Sequence, residues 1–439
     1  MAKKRKILRR GSGRLFPQTS LPHAKIFDKT RKCLHDGPVI AIQPTNLSAK
    51  LAPLSATGDQ LLRAAEIPAS EILPLGKARS LRVRTVPSPL RKNIGSPTCP
   101  FDEKNTSSPE FLEKLRAAFR SGEPLPPAKS HSRVLIIYPA GWVSEGEETQ
   151  RMKECYAERG CECCIGHRSD ETVTKIVNPN YVLSLDPSIP PLKGFHCATK
   201  WHRDGCSAQN ALRYENIFHA TPDAEKLILL ASDKGKKIRT MRLYPTTTKS
   251  EFYDGAKRRL CLCGANWDWR RGNHYANLYR SLDGTDYFDA YGPAWAWRGK
   301  IFHSYRGYLP SETSALRDVM QKDGVALVLH SDDHLMCKAP TQRIFAAAAA
   351  SCVIISDRHP FVVENFGDSV LYVDQNASTE EMFRQIDGHM RWILAHPKEA
   401  VALARRSHAV FIEKFPLEKE VERIEQFFQE NARTRSTNG

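Results

Sequence analysis

The chain has 439 residues and a hydrophobic content of 41%, which suffices for packed cores and excludes a fibrous or wholly unfolded protein. Its formal net charge of +16 is distributed unevenly, because residues 1–100 contain 19 Lys and Arg against 5 Asp and Glu, and the remainder contains 46 against 44. The excess of positive charge therefore belongs to the first segment, which excludes a uniformly basic nucleic-acid-binding body.

The first 130 residues have the composition of a disordered extension. They contain 15 of the 28 prolines, many serines and few sustained apolar periodicities, so they bury too little surface to offset the entropy of ordering. The positive charge of this arm is compatible with an anionic membrane, nucleic acid or simple solvation. Towards its end, Phe111, Leu115 and Phe119 recur every four residues and predict a short packing or linker helix over 109–120.

No run of about 18 apolar residues occurs, and the charged N-terminus lacks the apolar core of a secretory signal. We therefore expect a cytoplasmic protein without a membrane-spanning helix, and twelve reduced cysteines. Cys161, Cys163 and Cys164 lie close together, and Cys261 and Cys263 are two residues apart. Because no second CxxC pair accompanies them, buried strand positions are favoured over a structural zinc site, and we expect no metal.

From Arg133 the chain alternates short apolar runs with helical segments. Strands are predicted at 133–138, 181–185, 193–197, 216–220 and 240–244, and in a second unit at 259–264, 287–292, 325–330 and 352–357. Short apolar runs that alternate with helices are typical of parallel strands buried on both faces. The sequence therefore predicts an α/β protein with two successive doubly wound lobes.

Domain boundaries are placed where the composition changes. The predicted order is a basic, proline-rich and mostly disordered extension over 1–130, a first lobe over 131–255, a second lobe over 256–415, a C-terminal helix over 416–430 and a tail over 431–439. Within the second lobe, Ser378 followed three residues later by Glu381 is typical of a helix N-terminus.

The most informative segment runs from Lys338 to Asp374. A polar loop leads into an alanine-rich helix over 341–351, and an apolar strand then ends at Asp357. Open α/β sheets bind ligands at the carboxyl ends of their parallel strands. Lys338 and Arg343 lie just before or within the first turn of the helix, where backbone N–H groups also point outward. This arrangement predicts a diphosphate-binding site.

The segment resembles the second lobe of bacterial group-1-type glycosyltransferases, including their spore-maturation-like branch. The matching positions are Arg343, Phe345 and the alanines after it, Ile355, Ser356, Asp357, Phe366, Gly367, Asp368 and Tyr372. The resemblance implies the GT-B fold, in which two Rossmann-like doubly wound lobes enclose a cleft.

The same resemblance implies a glycosyltransferase that moves a sugar from a nucleoside diphosphate to an acceptor hydroxyl. It implies neither a metal ion nor a resident cofactor, and it favours retention of the anomeric configuration. The usual setting is the assembly of cell-surface polysaccharide or lipopolysaccharide on a glycan or lipid-linked acceptor. The basic arm is then expected to contact the anionic inner face of the membrane, and a nucleic-acid partner is not expected.

Three positions depart from the family pattern. The family's Glu after Phe, which usually holds the nucleotide ribose, is Ala346, and its Gly is Ser351. Lys338 stands where related enzymes often have another acid. These departures favour a second hypothesis, a GT-B-fold binding or scaffold protein with impaired catalysis, whereas the retained Arg343 and Asp357 favour an enzyme.

The resemblance assigns further donor-site candidates. The glycine loop at Gly264 is expected to face the donor pyrophosphate, and Arg270 and Arg271 are the candidates that neutralise it, unless they form a solvated basic turn. Lys338, Arg343 and Asp357 complete the predicted donor-nucleotide site. Glu364 is expected to contact the donor sugar.

The acceptor side of the cleft is predicted from two loops of the first lobe. Gly141 and Trp142 follow one strand, and Trp201 and His202 follow another. Glycine permits close approach of a ligand and tryptophan offers a face for a sugar ring, although packing between the lobes explains the tryptophans equally well. Three histidines at strand ends are candidate proton or hydrogen-bond donors, none of them assigned as catalytic: His202, His330 and His359.

Overall fold

The computed structural model describes residues 98–128, 131–140, 143–192, 194–200, 210–231, 238–255, 257–266, 268–309 and 315–437. These residues all belong to one compact unit, Leu90–Gly439. The predictions made for residues 1–97 lie outside the described residues. The same holds for the four acceptor-side candidates, Gly141, Trp142, Trp201 and His202.

The first lobe is built on a six-stranded parallel sheet. Its strands are β1 (Arg133–Ile137), β2 (Glu162–Gly166), β3 (Tyr181–Ser184), β4 (His196–Lys200), β5 (Asn216–His219) and β6 (Arg239–Arg242). They lie in the order β2-β1-β3-β4-β5-β6. The accompanying helices are α1 (Pro109–Ser121), α2 (Val143–Glu158), α3 (Glu171–Val177) and α4 (Pro222–Ala231).

The second lobe repeats this plan. Its strands are β7 (Arg259–Cys263), β8 (Phe288–Tyr291), β9 (Tyr305–Gly307), β10 (Gly324–Val328), β11 (Val353–Asp357) and β12 (Leu371–Val373), in the parallel order β12-β11-β10-β7-β8-β9. The helical segments are a π-helical turn (Arg270–His274), α5 (Ala276–Asp283), α6 (Ala294–Trp297), α7 (Ala315–Asp323), α8 (Asp332–Cys337), α9 (Gln342–Ala349), α10 (Pro360–Phe366), a 3-10 turn (Gly367–Ser369), α11 (Thr379–Ala395) and α12 (Pro397–Lys414).

A final helix, α13 (Leu417–Thr437), returns to the first lobe. Leu417, Val421 and Ile424 on this helix are buried in the same core as Val134 and Ile136 of β1. Their spacing of three and four residues places them on one helical face. The last helix in the chain is therefore part of the first lobe.

Each strand of the second sheet has a core on both faces. Leu260 and Leu262 of β7 pack in the core that includes α5 and α11, whereas Cys261 and Cys263 face the opposite core with α7, α9 and α12. The run from Ala346 to Ala350 is buried beside β10 and β11, and such small side chains let α9 approach the sheet closely. The thiols at positions 161, 163, 164, 261 and 263 are likewise buried and free.

The predicted fold class, an α/β GT-B protein with two Rossmann-like doubly wound lobes, is confirmed by the two parallel sheets. The helix predicted over 109–120 is confirmed as α1, and Ser378 caps α11 by accepting a hydrogen bond from the Glu381 N–H at 3.2 Å. Among the described helices, none is both long and apolar enough to span a bilayer.

Three boundaries need correction. Residues 98–128 belong to the folded body rather than to an extension that ends at residue 130, because Phe111, Leu115 and Phe119 pack against Leu135 and Ile137 of β1. The C-terminal helix continues to Thr437, beyond the predicted end at residue 430. The strand predicted at 193–197 begins and ends three residues later, at His196–Lys200.

Candidate functional site

The topology of the second sheet fixes where a ligand site is expected. β7 lies between β8 and β10, so the chain builds one side of the sheet through β8 and β9 before it crosses to β10. Crevices for ligands open at such switch points, outside the carboxyl ends of the strands. Here the switch point is bordered by Gly264, which follows β7, and by His330, which follows β10.

Arg343 lies across this switch point. Its Nη1 donates to the carbonyl of Cys263 at 3.1 Å, its Nη2 donates to the carbonyl of Leu329 at 3.0 Å, and its Nε donates to Thr341 Oγ1 at 3.3 Å. The guanidinium therefore ties the ends of β7 and β10 together from the first turn of α9. Burial lowers the pKa of Arg343 to about 10, and the positive charge of Arg271 acts in the same direction. At neutral pH the group is still a cation.

This buried cation forms no ion pair within the described ranges. Arg343 is 8% exposed, and among the described residues no Asp or Glu lies within ion-pair distance of it. The charge of Asp357 favours the cation only from beyond ion-pair distance, and it does not outweigh burial. A buried charge without an ion-pair partner costs several kcal/mol, by order of magnitude. A site with this property at a strand-end crevice suits an anion.

The two arginines of the glycine loop already have carboxylate partners. Arg270 Nε donates to Asp332 at 2.5 Å, and its Nη1 donates to the Tyr275 hydroxyl at 3.0 Å and to the Gln375 carbonyl at 3.3 Å. Arg271 is buried and pairs with Asp268. The alternative that these two arginines form a solvated basic turn is therefore wrong. Arg270 instead links the glycine loop to the start of α8.

His330, Asp357 and His359 form a buried group on the β10–β11 side of the switch point. The Asp357 carboxylate accepts from His330 twice, from Nδ1–H at 2.6 Å and from the backbone N–H at 2.8 Å. Burial alone would raise the pKa of Asp357, but the electrostatic attraction of the adjoining His330 ring and the two hydrogen bonds from His330 outweigh burial and lower it. The His359 ring stacks on His330 with centroids 4.1 Å apart, and burial lowers its pKa to about 4.

Unpartnered buried polar atoms concentrate at this edge. Among the described residues, eight buried side-chain nitrogen or oxygen atoms have no hydrogen-bond partner, and five of the eight belong to the loops and helices that follow β7, β8 and β10. The five atoms are both amide atoms of Asn266, the Tyr279 hydroxyl, Trp297 Nε1 and His330 Nε2. Each such group costs roughly 1–3 kcal/mol when it stays unpaired. Their accumulation around Arg343 is typical of a polar binding site.

Two glycines bring the loops of this edge together. A Cβ on Gly264 would lie 2.9 Å from Arg343 Nη1 and 3.4 Å from Asn266 Oδ1. Gly292 has φ +145°, and a Cβ there would lie 2.9 Å from Trp297 Nε1 and well inside van der Waals contact with the Gly264 carbonyl. Any side chain at Gly264 would fill the space between the cation and the unpaired amide.

The structure therefore brings together some of the predicted donor residues and separates others. Gly264, Arg343 and Asp357 border the switch point, with Arg270 and Arg271 beside them. Lys338 is exposed at the end of α8, where its backbone N–H donates to the His334 carbonyl, and Glu364 is exposed on α10. Among the described residues, neither side chain has a hydrogen bond or an ion pair. The contacts predicted for these two residues with a nucleotide therefore remain predictions.

Ala346, which stands at the position of the family's ribose-binding Glu, is buried in the core beside Phe345. Asn266, Tyr279 and Trp297 were not identified from the sequence. Of these three residues, only Asn266 has a local sequence signal. Its backbone is in the left-handed conformation, with φ +45°, which Asn tolerates better than most residues.

A serine and a histidine in the first lobe do not form a nucleophilic pair. His196 Nε2 lies 2.6 Å from Ser184 Oγ, but its Nδ1 accepts the Leu192 N–H at 2.6 Å, so Nε2 carries the proton and donates it to the serine. Burial lowers the pKa of His196 to about 3. Within the described ranges, no group of three or more His, Cys, Asp or Glu is placed to hold a metal ion.

No protein-family model matches the sequence, and no curated protein matches it. Several solved structures share its fold. HepE from Anabaena, in complex with UDP, is 9% identical with a TM-score of 0.43 and covers 68% of this chain and 100% of its own. Sucrose-phosphate synthase from Thermosynechococcus elongatus is 12% identical with a TM-score of 0.48, covering 69% and 100% respectively. A glycosyltransferase from Rickettsia africae is 11% identical with a TM-score of 0.48, covering 69% and 99%. At these identities the likeness concerns the course of the chain alone.

Proposed function

We propose that the chain is a glycosyltransferase that binds a nucleoside-diphosphate sugar at the switch point of the second lobe and transfers the sugar to an acceptor hydroxyl. The single observation that carries this proposal is Arg343, a buried cation at the carboxyl ends of β7 and β10 that forms no ion pair with any described carboxylate. The resemblance of residues 338–374 to group-1-type enzymes supports the same assignment.

The diphosphate is the part of such a donor that Arg343 suits. A diphosphate is a dianion or trianion with many acceptor oxygens and no donors, and a guanidinium offers five N–H donors. Three of those donors are used by Cys263, Leu329 and Thr341, so the group is held in place while two N–H remain. The glycine at position 264 leaves the space beside Nη1 clear.

This placement also supplies the chemistry of transfer. When the bond between the sugar and the diphosphate breaks, negative charge grows on the leaving diphosphate, and a fixed buried cation stabilises that charge in the transition state. In our proposal, the transfer of the sugar therefore requires no divalent metal ion. Retention of configuration, a glycan or lipid-linked acceptor and an anionic membrane as a peripheral partner belong to the proposal on the strength of the family resemblance and the basic residues 1–100.

A second candidate function is a nucleotide-binding protein without turnover. It is favoured by Ala346, which is packed in the core of the second lobe and offers no carboxylate to a ribose. Under this proposal Arg343 still binds the diphosphate, but no sugar transfer follows. Donor binding and turnover must therefore be measured separately.

The test of donor binding is thermal unfolding of the chain in the presence of UDP, GDP, ADP, TDP and CMP. We expect one nucleoside diphosphate to raise the unfolding midpoint by several degrees, because a ligand that binds only the folded state stabilises it. Arg343→Met should abolish that rise. The control is Arg391→Met on α11, which removes an exposed arginine that pairs with Asp387 and should leave the rise intact.

Arg343→Met also removes two strand-end hydrogen bonds, so its folding must be verified by far-UV circular dichroism. If the variant does not fold, competition on the wild type decides the question: inorganic pyrophosphate should displace the bound nucleotide, and the corresponding nucleoside should not. Absence of any midpoint shift with all five nucleotides contradicts the proposal. Release of nucleoside diphosphate from its glucose conjugate then separates the enzyme from the non-catalytic binder.

A further inference from the structure

We propose that His330 recognises a hydroxyl group of the sugar that the donor carries, and that its Nε2 is the atom that does so. This inference rests on the proposed function and adds to it a residue that distinguishes a nucleotide sugar from the bare nucleotide. The observation behind it is Nε2 of His330, which is buried at the carboxyl end of β10 and has no hydrogen-bond partner in the described part of the chain.

The Asp357 carboxylate fixes the proton of the His330 ring. Oδ1 of Asp357 accepts from Nδ1 at 2.6 Å, and Oδ2 accepts from the His330 backbone N–H at 2.8 Å. Both carboxylate oxygens accept from His330, and Oδ1 also accepts from the Ser356 hydroxyl at 3.4 Å. The two bonds to His330 hold its ring in one orientation. With the proton on Nδ1, the neutral ring presents Nε2 as a hydrogen-bond acceptor.

His359 prevents the ring from turning away. It stacks on His330 with an interplanar angle of 21°, and it is itself fixed at both nitrogens. Its Nδ1 accepts the Phe361 N–H at 3.2 Å, and its Nε2 donates to the His334 carbonyl at 3.0 Å. The hydrogen bond to Asp357 uses only Nδ1 of the His330 ring. That bond therefore does not explain why Nε2 is a buried polar atom at this edge.

The chemistry of Nε2 selects its partner. Phosphate oxygens are acceptors at neutral pH, so they form no hydrogen bond with an acceptor nitrogen. A sugar hydroxyl can donate to such a nitrogen. His330 directly follows Leu329, whose carbonyl is bound by Arg343. The hydroxyl-accepting atom therefore belongs to the residue next to the proposed diphosphate position, where a sugar attached to that diphosphate would lie. Nε2 exposes less than 1 Å², so its neighbours must separate when the sugar enters.

The test compares the full-length wild type with His330→Asn. The amide nitrogen of Asn occupies about the position of Nδ1, so it preserves a donor to Asp357 and removes the Nε2 acceptor. Dissociation constants are measured for three pairs: UDP and UDP-glucose, GDP and GDP-mannose, ADP and ADP-glucose. For the pair that binds, we expect His330→Asn to weaken the sugar nucleotide about tenfold and to leave the bare nucleotide unchanged, as for the loss of one buried hydrogen bond.

The matched control is Thr199→Val in β4, which removes another buried, unpartnered polar atom from the opposite lobe. It should leave the ratio of the two dissociation constants unchanged. A measurement on the unmutated chain covers the case in which His330→Asn does not fold: the ¹⁵N resonance of His330 Nε2 should shift on addition of the sugar nucleotide and not on addition of the bare nucleotide.

The outcomes separate the inference from the proposal beneath it. If the wild type binds a nucleotide and its sugar conjugate and His330→Asn keeps both affinities, His330 is only a structural tie and the inference fails alone. An equal loss for both members of the pair also overturns it, since the substitution would then affect binding of the nucleotide and not of the sugar. If the wild type binds none of the six ligands, the proposed function fails and takes this inference with it.

Discussion

At the residue scale, Arg343 combines two properties that usually conflict. It satisfies the carbonyls of Cys263 and Leu329, which parallel strands leave without donors at their carboxyl ends. It also keeps its charge buried without an ion pair to any carboxylate that the structure describes. A neutral side chain would remove the cost of the buried charge but would leave both carbonyls unpaired. The retained cation is therefore explained better by an anionic ligand than by stability alone.

Gly292 gives a prediction at the same scale. Gly292→Ala places a methyl group against the Gly264 carbonyl and Trp297 Nε1 in a backbone conformation that non-glycine residues rarely adopt. We expect it to lower the free energy of unfolding by at least about 2 kcal/mol, measured by urea denaturation. Gly299→Ala is the control, because Gly299 also has positive φ, +75°, but has open space around its Cβ position. A cost for Gly292→Ala no larger than that of Gly299→Ala would show that the two loops yield easily.

The sequence predicted Gly264 and Asp357, which lie at strand ends, and missed Tyr279 and Trp297, whose polar atoms come from helices. Gly264 and Asp357 directly follow or end apolar runs, so their meeting at one edge follows from parallel strand order alone. Tyr279 and Trp297 lie on α5 and α6, and their polar atoms reach the edge only because the helices pack against the sheet at one particular rotation. No periodicity in the sequence specifies where a single hydroxyl or indole N–H points.

At the scale of elements, α13 carries a buried carboxyl group. Glu420 is 1% exposed and interacts with Arg423 at 3.1 Å, and burial together with the nearby charge of Glu148 raises its pKa to about 7 despite Arg423. In the unfolded chain a glutamate titrates near pH 4.3. The folded state therefore holds this proton more tightly than the unfolded state between about pH 4.3 and 7.

The sign of the effect follows from linkage. As the pH rises through this window, the unfolded state loses the proton first, so the contribution of Glu420 falls and the protein loses up to about 3 kcal/mol by pH 8. We expect Glu420→Gln to be about as stable as the wild type at pH 4.5 and clearly more stable at pH 8, measured by urea denaturation at both values. Glu422→Gln, on the exposed face of α13, is the control and should show no such difference. A wild type and Glu420→Gln of equal stability at pH 8 would contradict the raised pKa.

The existence and order of the elements followed from the sequence, whereas some of their ends did not. The apolar runs of β1, β7, β10 and β11 are buried on both faces, and their position was predicted to within a residue or two. β4 contains His196 and Thr199 and ends at Lys200. Because these residues are polar, a prediction based on apolar runs placed the strand too early. The length of α13 was underestimated because its last two turns are polar and continue without a helix-breaking residue.

At the scale of the whole molecule, hydrogen bonds join the two lobes where the chain passes between them and where two helices meet. Thr246 Oγ1 donates to the Phe415 carbonyl at 2.7 Å, and the Leu417 N–H donates to the Thr247 carbonyl at 2.9 Å, where the chain passes between lobes. Gln342, at the start of α9, donates to Glu148 of α2 at 3.2 Å. Since Gln342 precedes Arg343, the proposed donor site is attached directly to the first lobe.

The folded body also includes a segment that composition alone assigns to the extension. α1 covers the first sheet with Phe111, Leu112, Leu115 and Phe119, all buried, and its N-terminus is capped by Ser108 Oγ at 3.1 Å from the Phe111 N–H. Because prolines precede and follow α1, the average composition of residues 1–130 is that of a disordered segment although α1 itself is amphipathic. The distinction between a linker helix and a core helix depends on the complementary face of β1, which the helix sequence does not contain.

Truncation tests this assignment. A chain that starts at residue 98 retains α1, whereas one that starts at residue 131 exposes the face of β1 that carries Leu135 and Ile137. Burying a large apolar side chain stabilises by roughly 1.5–3 kcal/mol, so we expect the shorter chain to lose several kcal/mol or to aggregate. Thermal unfolding of the two chains measures the difference, and Arg116→Ala in the longer chain is the control, because Arg116 is exposed on α1. Equal midpoints for both chains would mean that α1 covers the sheet without stabilising it, and the first lobe would then begin at β1.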